Sequence, residues 1–248
     1  MPNAHLVLLA LSFYTRIPVS NNLDYTKLPE ASIFLPLIGW IVGGLSGLCF
    51  YFTAQWWDQT TAVILSLVCG ILLTGAFHED GFADVCDGFG GGYGKERILE
   101  IMKDSQIGTY GALGLILLIG LKASLLCSLP ALMVPFTVLA GHSFSRFFPL
   151  LLMFCYDYAR TVPSKSGASV YKPKANELVL AGIISLIPFI LLPINTWLAI
   201  PLIMLVSWQL GRYFYRHIGG YTGDCLGASQ QVAEVVFYLT AGALWTST

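Results

Sequence analysis

The chain has 248 residues, of which 56% are hydrophobic and only 11% charged, with a mean hydropathy of +0.70 and a formal net charge of −1. Soluble domains carry roughly 25% charged residues to cover their surface, so this balance excludes an ordinary soluble globule and predicts an all-α, polytopic membrane bundle forming a single domain over 1–248. A net charge near zero leaves no basic footprint for nucleic acid, and six scattered cysteines without a CxxC pair give neither a zinc site nor a disulfide framework.

The N-terminal stretch MPNAHLVLLALSFYTRIPVS has no basic segment ahead of its apolar run; Arg16 comes after it. That order is wrong for a secretory signal, and 4–18 reads as a short span. A span needs about 20 mainly apolar residues. Further candidates in chain order are 31–53, 61–77, 108–128, 131–154, 177–193, 195–210 and 228–246, which makes seven or eight helices in the lipid bilayer. Pro193-Ile194-Asn195 reads as a tight turn between two of them. Eleven of the thirteen Lys and Arg residues fall in the alternate loops 16–30, 78–107, 155–176 and 211–227. The positive-inside rule puts those loops in the cytoplasm and both termini outside. Of the two cations within spans, Lys122 is expected to snorkel outward. Arg146, with His142 one turn before it, is expected to meet a phosphate, a carboxylate or Glu234.

Seven of the fourteen acidic residues lie between Glu79 and Asp104. If the helix of 61–77 runs on to Asp87, its period puts Asp80, Asp84 and Asp87 within about 60° of one another. Like charges at that spacing repel. Gly81, Phe82, Ala83, Val85 and Cys86 fill the gaps with no compensating cation, a poor solvated surface but a good one for a hard cation. Mg²⁺ with Glu79, Asp80, Asp84 and Asp87 as oxygen ligands is therefore expected. Five glycines follow within 88–94. They end the helix or, beside a metal, let the backbone at Gly91 and Gly92 approach a diphosphate. The segment Lys95 to Asp104 reads as an amphipathic helix at the membrane interface, with Ile98, Leu99, Ile101 and Met102 on its apolar face. Asp104 either caps the span 108–128 or acts as a base. Asp224 either caps the last span or serves the site. Glu234, two turns inside that span, is a functional candidate by its cost alone. His78 reads as an interfacial polar residue.

HEDGFADVCDG (78–88) followed by ERILEIMKDSQIGTYG (96–111) resembles the cobalamin synthase family, the adenosylcobinamide-GDP ribazoletransferases. SFYTRIP (12–18) and YTGDCLGASQQVAE (221–234) extend the resemblance nearly end to end. Gln106 departs from the basic residue associated with many members. The resemblance implies a Mg²⁺-dependent enzyme of the bacterial inner membrane, acting at its cytoplasmic face. It would join adenosylcobinamide-GDP to α-ribazole or α-ribazole 5′-phosphate with release of GMP. On this reading Asp84, Asp87, Asp104 and Asp224 are the catalytic candidates. Arg16, Gly91, Gly92, Lys103, Arg146 and Glu234 are the substrate-binding ones. A second copy of the chain, or other enzymes of the cobalamin pathway, would be its protein partners. Two other classes compete. An ion-coupled transporter would carry its carboxylates at the membrane midplane. A CDP-alcohol phosphotransferase would need an Ala-Arg pair after Gly88, which is absent.

Overall fold

In a computed structural model describing residues 2–19, 23–160 and 171–246, the chain is a bundle of helices whose only β pairing, among the described residues, is an isolated bridge between Tyr158 and Tyr221. The helices are α1 (Pro2–Tyr14), α2 (Leu28–Ala31), α3 (Leu35–Thr53), α4 (Gln59–Thr74), α5 (Phe77–Gly91) and α6 (Lys95–Ile101). They continue with α7 (Thr109–Cys127), α8 (Val134–Ser145), α9 (Phe148–Cys155), α10 (Ala175–Leu186), α11 (Ala199–Ile218) and α12 (Gly223–Thr246). Lys165 lies outside the described residues.

Four stretches are long and apolar enough to cross a membrane, Tyr25–Thr53, Thr109–Cys127, Ala131–Cys155 and Ile194–Ile218, and the bent pair α4 and α5 would make a fifth. Two shorter apolar helices, Ala4–Tyr14 and Ala175–Leu191, coincide with the candidates 4–18 and 177–193. The protein is thus a multi-pass membrane protein. Its outer surface says the same: on α7, Leu113, Ile116, Leu117 and Leu121 all face outward, Leu117 with 71% of its surface exposed. An apolar surface of this extent is stable only against lipid.

With lipid outside, every backbone polar group must be satisfied within the protein. Asp58 accepts from the amides of Thr60 and Thr61 at the start of α4. At the other end of α7, the Gln59 side chain donates to the carbonyls of Leu129 at 2.8 Å and Cys127 at 3.2 Å. Helix α3 lies against α8 through a stripe of small residues, Gly39, Gly43 and Gly47; a side chain at Gly43 would stand 2.9 Å from Leu139 Cα. Such stripes let membrane helices approach closely. Packing between Phe144, Phe148, Phe189 and Phe237 fills the core beneath.

One expectation about the acidic stretch fails. The helix of 61–77 does not continue to Asp87. It stops at Gly75 (φ 67°), Ala76 follows in the same left-handed region (φ 62°), and α5 leaves at 90° to α4. Glycine adopts that conformation freely, whereas for alanine it costs roughly 1–2 kcal/mol. Arg16 covers the break, its amide bonded to the Leu73 carbonyl at 2.7 Å and its guanidinium filling the space a side chain at Gly75 would need. Helix α5 therefore leaves the line of the span and packs between α7 and α12. Helix α6 turns back beneath it. Its apolar face does not lie on lipid as expected: Ile98 and Met102 are buried in the same cluster as Phe214, Ile218 and Cys225.

Candidate active site

Helices α7 and α12 both begin at the end of the bundle where α5 and α6 lie, and the acidic residues of α5 meet both starting points. Asp87 accepts the amide of Gly108 at 2.7 Å and that of Gly111 at 2.8 Å, one with each carboxylate oxygen. It is the cap of α7, supplied from another helix, and its negative charge suits the positive end of the helix dipole. Side chains at Gly108 or Gly111 would collide with this carboxylate, which explains the glycines in the segment IGTYG. Asp104, one of the two roles of which was to cap this span, does not: among the described residues its side chain accepts the amide of Gln106 alone, at 3.1 Å, in a local turn.

At the start of α12 the hydroxyl of Thr222 accepts the Cys225 amide at 3.3 Å and so does the capping. Asp224 is thereby left for other partners. Its carboxylate accepts from Arg160 Nη2 and from the Thr222 hydroxyl, both at 3.1 Å. Gly81 lets α5 approach at this point, since a side chain there would stand 3.0 Å from the Asp224 backbone. Asp84 is half-buried beside it. Burial first, and then the charges of Asp224, Asp80 and Asp87, push its carboxyl up to about 6, with Arg160 opposing them. Burial likewise raises Asp224, against the opposing pull of Arg160. Asp80, Asp84 and Asp224 thus form an electron-rich surface short of positive charge.

Helix α6 separates two clefts at this end, each of about 590 Å³. One is lined by Asp87, Gly91, Lys103, Asp104, Gln106 and Tyr110 among others. The other is lined by Lys95, Glu96, Glu100, Lys103 and Arg160. Lys103 borders both. Gly91 lines the first cleft. Gly92 faces neither: a side chain there would meet the Gly88 carbonyl and Ile98, so its smallness serves the packing of α6 on α5.

Three site expectations fall in a different place, inside the bundle. Glu79 points away from Asp80 and Asp84. One of its oxygens accepts from Gln231 Nε2 at 2.9 Å, and the other is buried without a hydrogen-bond partner. Lys122 does not snorkel outward. It is 5% exposed and donates to Gln231 at 2.6 Å and Glu234 at 2.9 Å. An ammonium in hydrocarbon is costly, and an inward pair on α12 removes that cost. Glu234 also accepts from Gln230 at 2.7 Å and from the Tyr238 hydroxyl at 3.1 Å, while His142 Nδ1 lies 3.7 Å away. Arg146 is 1% exposed and donates to the His142 carbonyl at 2.9 Å. Arg146 and Glu234 are therefore held by partners within the bundle and not presented to a substrate. His78, read as interfacial, is 3% exposed.

Among the described residues no three His, Cys, Asp or Glu side chains converge closely enough to enclose a metal by themselves. Asp87 spends both oxygens on amides, Glu79 turns inward, and Asp80, Asp84 and Asp224 remain. Arg160 is the residue that sequence reasoning underweighted. Its only signal was its position among the cations of one loop, and its partner lies 64 residues further on.

Fold and site define a multi-pass helical membrane protein with paired, charge-lined clefts opening beside an acidic helix at one end of the bundle. Sequence comparison then gives the particular kind. The family model of the cobalamin-5-phosphate synthases matches residues 6–242, and the chain belongs to that family. A relative from Shewanella amazonensis is 43% identical across 97% of this chain and 96% of its own length. One from Leptospira interrogans is 41% identical across 95% and 94%. Both carry the name adenosylcobinamide-GDP ribazoletransferase. No solved structure matches the chain.

Proposed function

We propose that this chain joins α-ribazole, or its 5′-phosphate, to adenosylcobinamide-GDP and releases GMP, the step that assembles the nucleotide loop of cobalamin. The observation that carries the reading is the grouping of Asp80, Asp84 and Asp224 at the end of the bundle where two clefts with cationic lining open, in a chain that follows the family over residues 6–242. A ribose hydroxyl of the acceptor attacks the cobinamide-side phosphorus of the diphosphate. The new P–O bond forms as the bond to the bridging oxygen breaks, GMP leaves with that oxygen, and the hydroxyl proton passes to a carboxylate. Asp84, half-buried beside Asp224, is placed for that last role.

Mg²⁺ is part of the proposal. Asp80, Asp84 and Asp224 do not enclose an ion by themselves, and would hold a hard cation only together with water and phosphate oxygens. When bound, such an ion would neutralise charge developing on phosphoryl oxygens. The chain's own task is then to orient the two substrates and to receive the proton. Lys103, between the clefts, is placed to reach a phosphate from either side. Because the cations of the sequence occupy the loops at the site's end, we place the site at the cytoplasmic face of a bacterial inner membrane.

A transporter would draw its support from the buried Lys122 and Glu234, but their charges are spent on each other. The test is the purified protein in lipid nanodiscs, incubated with both substrates and Mg²⁺ and assayed for GMP. Release that requires both substrates supports the reading, and Asp84→Asn should abolish it without preventing membrane insertion. A wild-type protein that releases no GMP would refute the assignment.

A further inference from the structure

Arg160 follows α9 and reaches across to the start of α12. Its Nη2 donates to Asp224 at 3.1 Å and lies 3.5 Å from the Met102 carbonyl, while its Nε is buried with no acceptor among the described residues. A guanidinium has five donors arranged to bind carboxylate or phosphate in a fork. Here one well-placed acceptor occupies it, and the pair is partly open, each side chain with 23% of its surface exposed. Arg160 also lines the cleft that holds Lys95 and Lys103. Three cations against Glu96 and Glu100 leave this cleft with a positive excess, directly beside an acidic surface with the opposite one.

We propose that Arg160 is a phosphate-binding residue for the nucleotide donor, held on Asp224 in the free enzyme and handed over to a phosphoryl oxygen when the nucleotide enters this cleft. The inference rests on the ribazoletransferase reading and names the residue and cleft that recognise its nucleotide. A carboxylate and a phosphate compete for the same fork of donors. Phosphate offers more oxygens and more charge, so it also reaches the idle Nε. The exchange does two things at once. It neutralises the donor's phosphates at the edge of a surface that would otherwise repel them. It also frees Asp224 from its one ion pair among the described residues as the substrate arrives, restoring an acceptor beside Asp84.

The two halves of one ion pair then act in opposite directions. The full-length protein in lipid nanodiscs is titrated calorimetrically with GMP in EDTA, so that no divalent cation contributes. Arg160→Ala should weaken GMP binding by about ten- to a hundredfold, the effect of losing charge-assisted hydrogen bonds. Arg160→Lys, which keeps the charge but not the fork, should fall between that and wild type. Asp224→Asn should bind GMP several-fold more tightly, because the competing carboxylate charge is gone. If the pair is merely structural, both variants shift binding the same way or not at all, and the proposal is overturned. Should Arg160→Ala not fold, unchanged or weaker binding by Asp224→Asn overturns it alone. A wild-type protein that binds no GMP in EDTA overturns it as well. Normal GMP release from the two substrates, combined with unaltered GMP binding by Arg160→Ala, would sink the role of Arg160 and leave the transferase reading intact.

Discussion

Asp84 and Asp87 lie one turn apart on α5, yet replacing each with asparagine should change stability in opposite directions. Asp87 receives two backbone amides at the positive end of α7, at 2.7 and 2.8 Å. An asparagine offers one acceptor and turns an amino group toward the second amide. The loss is one charge-assisted hydrogen bond, about 1.5–3 kcal/mol, plus about 0.3–1 kcal/mol of helix-dipole interaction. At about 2–4 °C per kcal/mol for a chain of this size, the midpoint of Asp87→Asn should fall by roughly 5–15 °C. Among the described residues Asp84 has no such partners; burial first, and then the like charges around it, raise its carboxyl from 3.8 to about 6. A carboxyl whose folded value lies above its unfolded one destabilises the fold when ionised. That penalty is fully present above about 6 and disappears as the pH falls from 6 toward 4. Asp84→Asn should therefore be neutral or stabilising at pH 7.5, with a smaller stability gain than wild type on moving to pH 5. The assay is thermal unfolding of detergent-solubilised protein at both pH values, checked by size-exclusion chromatography. A silent Asp87→Asn alongside a strongly destabilised Asp84→Asn would refute this division of roles.

Lys122→Met strands Glu234 and Gln231, and breaking a buried pair from one side costs about 3–5 kcal/mol. The single variant should lose most of its monodisperse yield, and Lys122→Met with Glu234→Gln should recover part of it. No recovery in the double variant would mean the two charges do not depend on each other. Asp224→Asn should keep wild-type thermal stability, because Thr222 does the capping, while GMP release falls by at least tenfold; a stable, fully active variant would remove Asp224 from the site. Helix α12 begins at the site and runs away from it, so a C-terminal alkaline phosphatase fusion should be active and a fluorescent-protein fusion dark. The reverse pattern would place the site outside the cytoplasm.

Hydropathy and helical period are local properties, so the sequence by itself determined the membrane bundle and singled out the acidic stretch as the candidate site. The alternation of cations among loops belongs to the same class of signal, as does the run of carboxylates on one face of α5. Other features depended on partners far along the chain. The break after α4 rests on Ala76, whose left-handed backbone no residue preference announces, and on Arg16 folding back over it. Lys122 shows why burial was not legible: in a membrane, both the lipid-facing and the inward-facing sides of a helix are apolar. Periodicity therefore cannot tell which side a lone cation takes, and the choice fell to Gln231 and Glu234, more than a hundred residues away. The roles within the acidic face were decided in the same way. Four carboxylates look alike in sequence, but only packing delivers the amides of α7 to Asp87, the Gln231 side chain to Glu79 and the Arg160 guanidinium to Asp224. Burial first, and then three like charges, raise the Asp84 carboxyl to about 6.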